Sequence, residues 1–402
     1  MNKVAWTTYS IADVGEFLGG ATPSTAVPEY WNGKIHWTTS KRLGNSSYTV
    51  DSGERFISKR GLENSSTNLI PHGNLLIGTR VGVGKVAVNR VDMAISQDLT
   101  GVLVDSSRFN PFFLAFCFSR PEIKNQIIQQ ARGVTIKGIP REDLKKIEFA
   151  APEKPEQETI AGVLWKIQRA IDTEKKLTAV AIELKRFALR QLFTFGLRGE
   201  PQKETDIGPI PESWSLLRAG DIFKLTSGDK RPSDLAPSPS KEKPYPVLGG
   251  NGVMGYAAEW MLDRTECLVI GRVGEYCGAV HVARGKVWIT DNALYAKEWL
   301  NESVRVDYLA EFLSYYDLNR FKRRAGQPLV TQGLINEHSF PIPLPTEQKQ
   351  FAAILQTIDR KIKIHERKSA TLQELFKTML HELMTGEIRV ADLDIDVSEI
   401  KS

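Results

Sequence analysis

The chain carries one long amphipathic segment twice, the second copy 191 residues after the first and ungapped over about four dozen positions. Glu156, Gln157, Ala161, Leu164, Ile167, Arg169, Ile171, Ala179, Glu183, Leu184, Leu189, Leu192 and Thr194 recur as Glu347, Gln348, Ala352, Leu355, Ile358, Arg360, Ile362, Ala370, Glu374, Leu375, Leu380, Leu383 and Thr385. The stretches before each copy also correspond, though loosely, so the chain reads as two related halves, each a globular unit followed by a long helix. A repeated scaffold carrying two diverged units suits a protein that reads two different things held at a fixed distance.

The first helix opens after Pro152-Glu153-Lys154-Pro155, and Ile160, Leu164, Ile167 and Ile171 follow 4-3 spacing. Leu177, Ala181, Leu184 and Ala188 resume that spacing after a phase slip. In the second copy Phe351, Leu355, Ile358, Ile362, His365, Ser369, Leu372, Phe376, Met379 and Leu383 keep it throughout. Gly196 and Gly386 read as C-terminal caps. Each stripe needs a partner, and the other copy is the nearest available. Antiparallel pairing is the simplest geometry, with a parallel pair left open. The expected interface is Leu164, Ile167, Ile171, Leu184, Leu355, Ile358, Ile362 and Leu375.

Before each helix, short apolar runs alternate with Gly, Pro, Asn and Ser, as in Leu75-Leu76-Ile77 and Lys85-Val86-Ala87-Val88. Asn110-Pro111 marks a helix start, Asn as the cap and Pro in the first turn. The two units share landmarks. Ile77-Gly78-Thr79-Arg80-Val81-Gly82 returns as Ile270-Gly271-Arg272-Val273-Gly274, and Ile95-Ser96-Gln97-Asp98 returns as Ile289-Thr290-Asp291-Asn292. Phe113-Leu114-Ala115 returns as Tyr308-Leu309-Ala310. The expected class is α+β: two pseudo-repeated strand-rich domains, 1–151 and 199–345, joined by two long antiparallel coiled-coil helices, 152–198 and 346–390, with a polar tail over 391–402.

Hydrophobic residues make up 41%, enough for a core in each unit, and a net charge of +5 is compatible with a polyanionic partner. Cys117, Cys267 and Cys277 are too few and too oddly spaced for a disulfide framework, so a reducing compartment is expected. No run reaches the roughly 18 apolar residues of a membrane span, and the N-terminus lacks a signal-peptide core, which points to the cytoplasm and no membrane.

Catalytic and metal motifs fail on inspection. Gly78 to Lys85 lacks the first Gly and the final Ser or Thr of a phosphate-binding loop, with Thr79 and Val86 in those places. Asn110-Pro111-Phe112-Phe113 is one residue away from the Asn-Pro-Pro-aromatic tetrad of amino-methyltransferases, but reads better as a helix cap. His365-Glu366 and His381-Glu382 are followed by Ser369 and Thr385 where a zincin needs its second histidine. Cys267, Cys277 and His281 lack paired Cys-x-x-Cys spacing. Asp143-Leu144-Lys145, half of a nuclease motif, becomes Glu337-His338-Ser339 in the second copy.

What the loops do carry is the vocabulary of DNA readout. Arg80, Lys85, Lys137, Lys230, Arg231 and Arg272 are interleaved with Thr79, Ser96, Gln97, Thr135, Asn251, Thr290, Asn292, Gln327, Thr331 and Gln332. Arg forks onto guanine, Asn and Gln onto adenine, while Lys and hydroxyls bind phosphates. Arg320, Lys322, Arg323 and Arg324 form a further basic cluster.

The order of these features resembles the specificity subunit of a type I restriction-modification system across essentially the whole chain. The residues that carry the resemblance are Pro155-Glu156-Gln157 and Pro345-Thr346-Glu347-Gln348, Gly19-Gly20-Ala21-Thr22-Pro23-Ser24, the Ile-Gly-x-Arg-Val-Gly loops, and Ile289 to Leu294. It adds Thr22 and Ser24 to the candidate contacts, although Ala21 stands where the family commonly has Gly or Thr. The resemblance implies two target-recognition domains, each reading half of a bipartite asymmetric site on double-stranded DNA, with the helices setting the unread spacer. It implies no catalytic residue and no cofactor in this chain. The partners would be two methyltransferase subunits using S-adenosylmethionine for N6-adenine methylation, and two translocase-nuclease subunits using ATP and Mg. A protein-binding adaptor without DNA binding, or a single-chain modification enzyme, are the competing readings.

Overall fold

In this computed structural model the described residues are 6–44, 47–133, 137–318, 329–390 and 396–400. The chain forms two compact units, Met1–Lys175 with Arg367–Ser402, and Lys176–Glu366. Each long helix is thus divided near its middle. Each unit comprises one strand-rich domain, the start of the helix that follows it, and the end of the other helix.

In the first unit strand β1 (Gly15–Gly19) pairs with β4 (Leu99–Val104), which pairs with β2 (Leu75–Gly78), which pairs with β3 (Val86–Asn89), all antiparallel. In the second, β5 (Phe223–Ser227), β8 (Ala293–Trp299), β6 (Leu262–Gly271) and β7 (Val280–Ile289) take the same order with the same sense. A parallel strand follows next in both cases, Thr49–Val50 at the edge of the first sheet and Tyr245–Gly249 in the second, where Gly252–Ala257 pairs antiparallel beyond it. Helix α1 (Pro111–Ser119) packs inside the first domain. Its side chains are apolar on every side, and residues Pro111 to Phe118 are all buried. Asn110 caps it, its side-chain oxygen accepting from the Phe113 amide at 3.0 Å.

The long helices are α2 (Lys154–Phe195, 42 residues) and α4 (Pro345–Met384, 40 residues), and α3 (Val306–Tyr316) is the counterpart of α1. In the second unit α2 and α4 run antiparallel: Lys185 bonds Asp359 at 2.7 Å while Phe193 meets Phe351 at 5.8 Å. The first unit has the same sense, with Glu174 paired to Lys368 at 3.9 Å and Ile160 and Leu164 sharing a core with Leu383 and Met384.

The helix seam corrects one expectation. On α2 the shielded face is Ile160, Leu164, Ile167, Ile171, Glu174, Thr178, Ala181, Lys185, Ala188 and Leu192, an unbroken 4-3 series with no phase slip. It matches the stripe of α4 residue for residue. Leu184 is 51% exposed and its repeat partner Leu375 44% exposed, so neither belongs to the seam expected to hold them. Of the other six, Leu164, Ile171, Leu355 and Ile358 are buried and Ile167 and Ile362 half-buried. The sequence pattern followed leucines, whereas the geometry turns a lysine inward because its ammonium finds carboxylates there.

The Glu-Gln pair opening each helix ties it to its domain. Gln157 is 1% exposed; its carbonyl accepts from the Asn110 amide (3.0 Å) and its amide donates to the carbonyls of Arg108 (3.1 Å) and Pro152 (2.9 Å). Gln348 repeats this with the Arg305 amide (2.7 Å) and the carbonyls of Ser303 (2.9 Å) and Pro343 (2.8 Å). The neighbouring glutamate meets the end of the other helix. Glu347 accepts from the Leu197 amide at 2.8 Å and the Trp214 indole at 3.3 Å, and Glu156 is gripped by both arms of the Arg389 guanidinium at 2.6 and 2.7 Å. Gly196, at φ +68°, supplies the left-handed step that turns the Leu197 amide toward Glu347.

Within the polar C-terminal tail, the described residues 396–400 pack against the first unit. Ile400 is 1% exposed in the first unit's core, its carbonyl accepts from the Asn110 amide side chain at 3.3 Å, and the Glu399 carboxylate accepts from Trp165 at 3.0 Å and from Arg169. Those bonds, chiefly from Arg169, hold the Glu399 carboxyl below its ordinary value of 4.5. A depressed carboxylate stabilises the docked state above the ordinary value, and that contribution disappears as pH falls through the lower folded value. Amide exchange of Val397 to Ile400 should therefore accelerate selectively as pH falls below the ordinary carboxyl value of 4.5, a response absent from Glu399→Gln.

Candidate nucleic-acid interface

At one end of the β1–β4 sheet four segments are bonded into a single frame. The Ala21 amide donates to the Ile95 carbonyl (2.9 Å), Thr79 and Arg80 amides to the Asp98 carbonyl (2.9 and 3.3 Å), and the Ile139 amide to the Thr79 carbonyl (2.8 Å). The second unit repeats it: Asp229 to Ile289 (2.9 Å), Arg272 to Asn292 (2.9 Å), and Val330 to Arg272 (3.0 Å). Gly20 and Gly228 explain how the first loop comes so close. A methyl carbon on Gly20 would lie 2.1 Å from the Ser96 carbonyl oxygen, and one on Gly228 would lie 2.2 Å from that of Ile289. The shared landmarks are therefore backbone requirements, and the side chains around them are free to differ.

Those side chains divide by exposure. In the first unit Thr22, Ser24, Arg80, Gln97 and Lys137 are exposed and Lys85 is half-buried. Thr22 donates to the Gln97 side-chain oxygen at 2.6 Å, which orients that amide. Arg80 and Gln97 line an open concavity with Asp98, Arg132 and Ile139. Thr79 and Ser96 are 5% and 1% exposed and serve the frame: Thr79 bonds Thr100 at 3.3 Å, and the Ser96 hydroxyl accepts from the Asp98 amide at 3.3 Å. In the second unit Lys230, Arg231, Asn251 and Asn292 are exposed, and Gln332 is half-buried. Half-buried Arg272 is steered by its 3.0 Å bond to the Ser227 hydroxyl. Thr331 caps the short helix Gln332–Asn336, and Thr290 is fully buried. Thr135, Gln327 and the basic cluster of Arg320, Lys322, Arg323 and Arg324 lie outside the described residues.

Sequence reasoning missed the aromatic support. The indoles of Trp37 and Trp31 donate to the carbonyls of Ala21 and Ser24, each at 3.1 Å, and so pin both ends of the first loop. The Arg55 guanidinium lies 3.6 Å above the Trp31 ring, an exposed cation held in place beside that loop. The second unit places Lys286 over Trp260 at 4.9 Å and Tyr245 at 5.9 Å. Arg55 opens the strand Arg55–Ile57 and Trp31 follows the short 3-10 turn Pro28–Tyr30, so no spacing in the sequence links them.

Burial pushes the Cys117 thiol up to about 12 and the Cys267 thiol to about 11, so both stay protonated at neutral pH. Among the described residues no three His, Cys, Asp or Glu side chains are grouped to hold a metal ion. No described helix is long and apolar enough to cross a membrane.

The family profile described as the type I restriction modification DNA specificity domain matches residues 3–183 and again 211–374. The MjaIX specificity subunit of a type I restriction enzyme from Methanocaldococcus jannaschii is 26% identical over 96% of this chain and 94% of its own length. The EcoprrI specificity subunit from Escherichia coli is 25% identical over 89% and 88%. The crystal structure of a type I S subunit from M. genitalium superposes with a TM-score of 0.68 at 18% identity, over 95% of this chain and 97% of that one. The twice-built loop frame and a profile that matches both halves lead to one conclusion: this chain belongs to the type I restriction-modification DNA specificity family, whose members recognise DNA sequence and carry no catalytic site of their own.

Proposed function

We propose that each unit reads one half of a bipartite, asymmetric site on double-stranded DNA through its loop frame, and that α2 and α4 fix the unread spacer. The observation that carries this reading is one hydrogen-bonded frame built twice with different exposed side chains: Thr22, Arg80, Gln97 and Lys137 in one, Lys230, Arg231, Asn251 and Asn292 in the other. Arg55 on Trp31 joins the first set as a pre-organised cation.

The catalytic work belongs to partners. Two methyltransferase subunits would supply S-adenosylmethionine chemistry at adenine N6, and two translocase-nuclease subunits would use ATP and Mg, in the cytoplasm. Leu177, Val180, Leu184 and Phe187 support a docking role for α2. They follow 3-4-3 spacing and are 41%, 62%, 51% and 63% exposed, an apolar stripe on the side away from the helix seam. Phe187→Asp should leave folding intact, because the ring touches little within the chain, yet weaken methyltransferase binding at least about 30-fold. Size-exclusion chromatography of the mixed subunits, with circular dichroism of the variant alone, checks both halves of that expectation.

The function itself is tested by mapping adenine methylation in a methylation-free bacterial host that expresses the chain with its cognate methyltransferase, and again without the chain. A motif of two unlike half-sites at fixed spacing, present only with the chain, is the expected result. An assembled, active complex whose pattern ignores the chain would favour an adaptor that binds no DNA. Methylation by the purified chain alone would favour a single-chain enzyme.

A further inference from the structure

The two units dock their domains on the helices by opposite chemistry at equivalent positions. In the second unit Lys185 of α2 lies 2.7 Å from Asp359 of α4 and 3.3 Å from Glu311 of α3, all three side chains only 23–31% exposed. The 191-residue repeat pairs Lys185 with Phe376 and Asp359 with Gln168, while the correspondence of Tyr308-Leu309-Ala310 with Phe113-Leu114-Ala115 pairs Glu311 with Phe116. In the first unit these counterparts form an aromatic contact. Phe116 and Phe376 stand 5.9 Å apart, both touched by Tyr48 at 4.5 and 5.7 Å, with Gln168 3% exposed beside them.

We propose that this exchange of an ionic triad for an aromatic cluster is a sorting code that assigns each recognition domain to its own end of the helix pair. The α2-end surface, Lys185 with Asp359, fits a domain whose docking helix carries a carboxylate at the position of Glu311. The α4-end surface, Phe376 with Gln168, fits a domain with an aromatic ring there. A misplaced second domain would press Glu311 against the Phe376 ring, and a misplaced first domain would cover Lys185 with Phe116. The first mismatch strips a carboxylate of water without returning a counter-ion, and the second desolvates Lys185 while taking away Glu311, one of its two carboxylates. The same rule would govern which foreign domains the scaffold accepts. Burial alone would lower the Lys185 pKa, but the bond to Asp359 and the charge of Glu311 outweigh it and the net shift is upward. The lysine is therefore a cation that its two partners retain.

The surface is tested in the full chain by a mutant cycle between the domain position and the helix positions. Glu311→Phe alone, and Lys185→Phe with Asp359→Gln, should each lower the unfolding midpoint by on the order of 5 °C. The three together recreate the other unit's chemistry and should recover most of that loss, whereas strictly additive losses would overturn the complementarity. Sorting is tested by exchanging residues 6–151 and 214–342 in the full chain. With native helices the exchanged chain should melt lower than with Gln168→Asp, Phe376→Lys, Lys185→Phe and Asp359→Gln added. Equal midpoints, or equal soluble yields where neither melts cooperatively, would refute the code. Neither readout involves DNA, so a failure here leaves the reading of the two units as DNA readers untouched.

Discussion

Gln157→Leu should cost the first unit about 3–6 kcal/mol. Leucine fills similar space but pairs with nothing. It strands the Asn110 amide and the carbonyls of Arg108 and Pro152, three backbone groups that now meet a glutamine 1% exposed. Each buried unpaired group costs about 1–3 kcal/mol. In a unit of this size the midpoint should fall by roughly 10 °C or more. Gln348→Leu should do the same to the second unit, and because the two sites share no partner the effects on the full chain should be additive. Differential scanning calorimetry of both single variants and the double variant reads this directly. A Gln157→Leu midpoint within about 2 °C of the parent would show that water replaces these bonds and that the glutamine is dispensable.

The second large effect falls on function. Gly20→Ala would place a methyl carbon 2.1 Å from the Ser96 carbonyl and 2.4 Å from that of Ile95, backbone atoms that cannot swing away. The loop must lift, breaking the Ala21-to-Ile95 bond and carrying Thr22 off Gln97. A displacement near 1 Å in a positioned site costs on the order of 100-fold, so modification of the cognate site by the assembled complex should fall by about that factor. The sheet beneath keeps its ladders, and far-ultraviolet dichroism should stay unchanged. Gly228→Ala makes the matching prediction for the second half-site. Full activity in either variant would mean that these loops do not form the reading surface.

The structure accounts for where sequence reasoning succeeded and where it failed. The 4-3 stripe of α4 was legible because its inward positions are mostly apolar, so hydropathy and geometry coincide. On α2 the inward face includes Glu174, Thr178 and Lys185, and the pattern slid onto Leu177 and Leu184, which face outward. Polar residues at inward positions are invisible to periodicity because their partners, such as Asp359 and Glu311, lie more than a hundred residues away. Within the loops the sequence named segments that fold into one hydrogen-bonded frame, but could not separate Arg80 and Gln97, which are exposed, from Thr79 and Ser96, which hold the frame. Arg55, Trp31 and Trp37 were missed because their contact is made only by folding.

The amino-acid sequence by itself determined the duplication, the α+β plan, the two long helices with their capping glycines, and the family, because each is written in local periodicity or in short motifs repeated in order. Only the tertiary structure decided that the Glu-Gln pairs lock each helix to its domain, that the C-terminal residues seal the first unit's core, and that the domains dock by different chemistries. Those are contacts between residues distant in the chain. Their energies depend on burial and on the geometry of the partner, and neither is encoded in the spacing of any one segment.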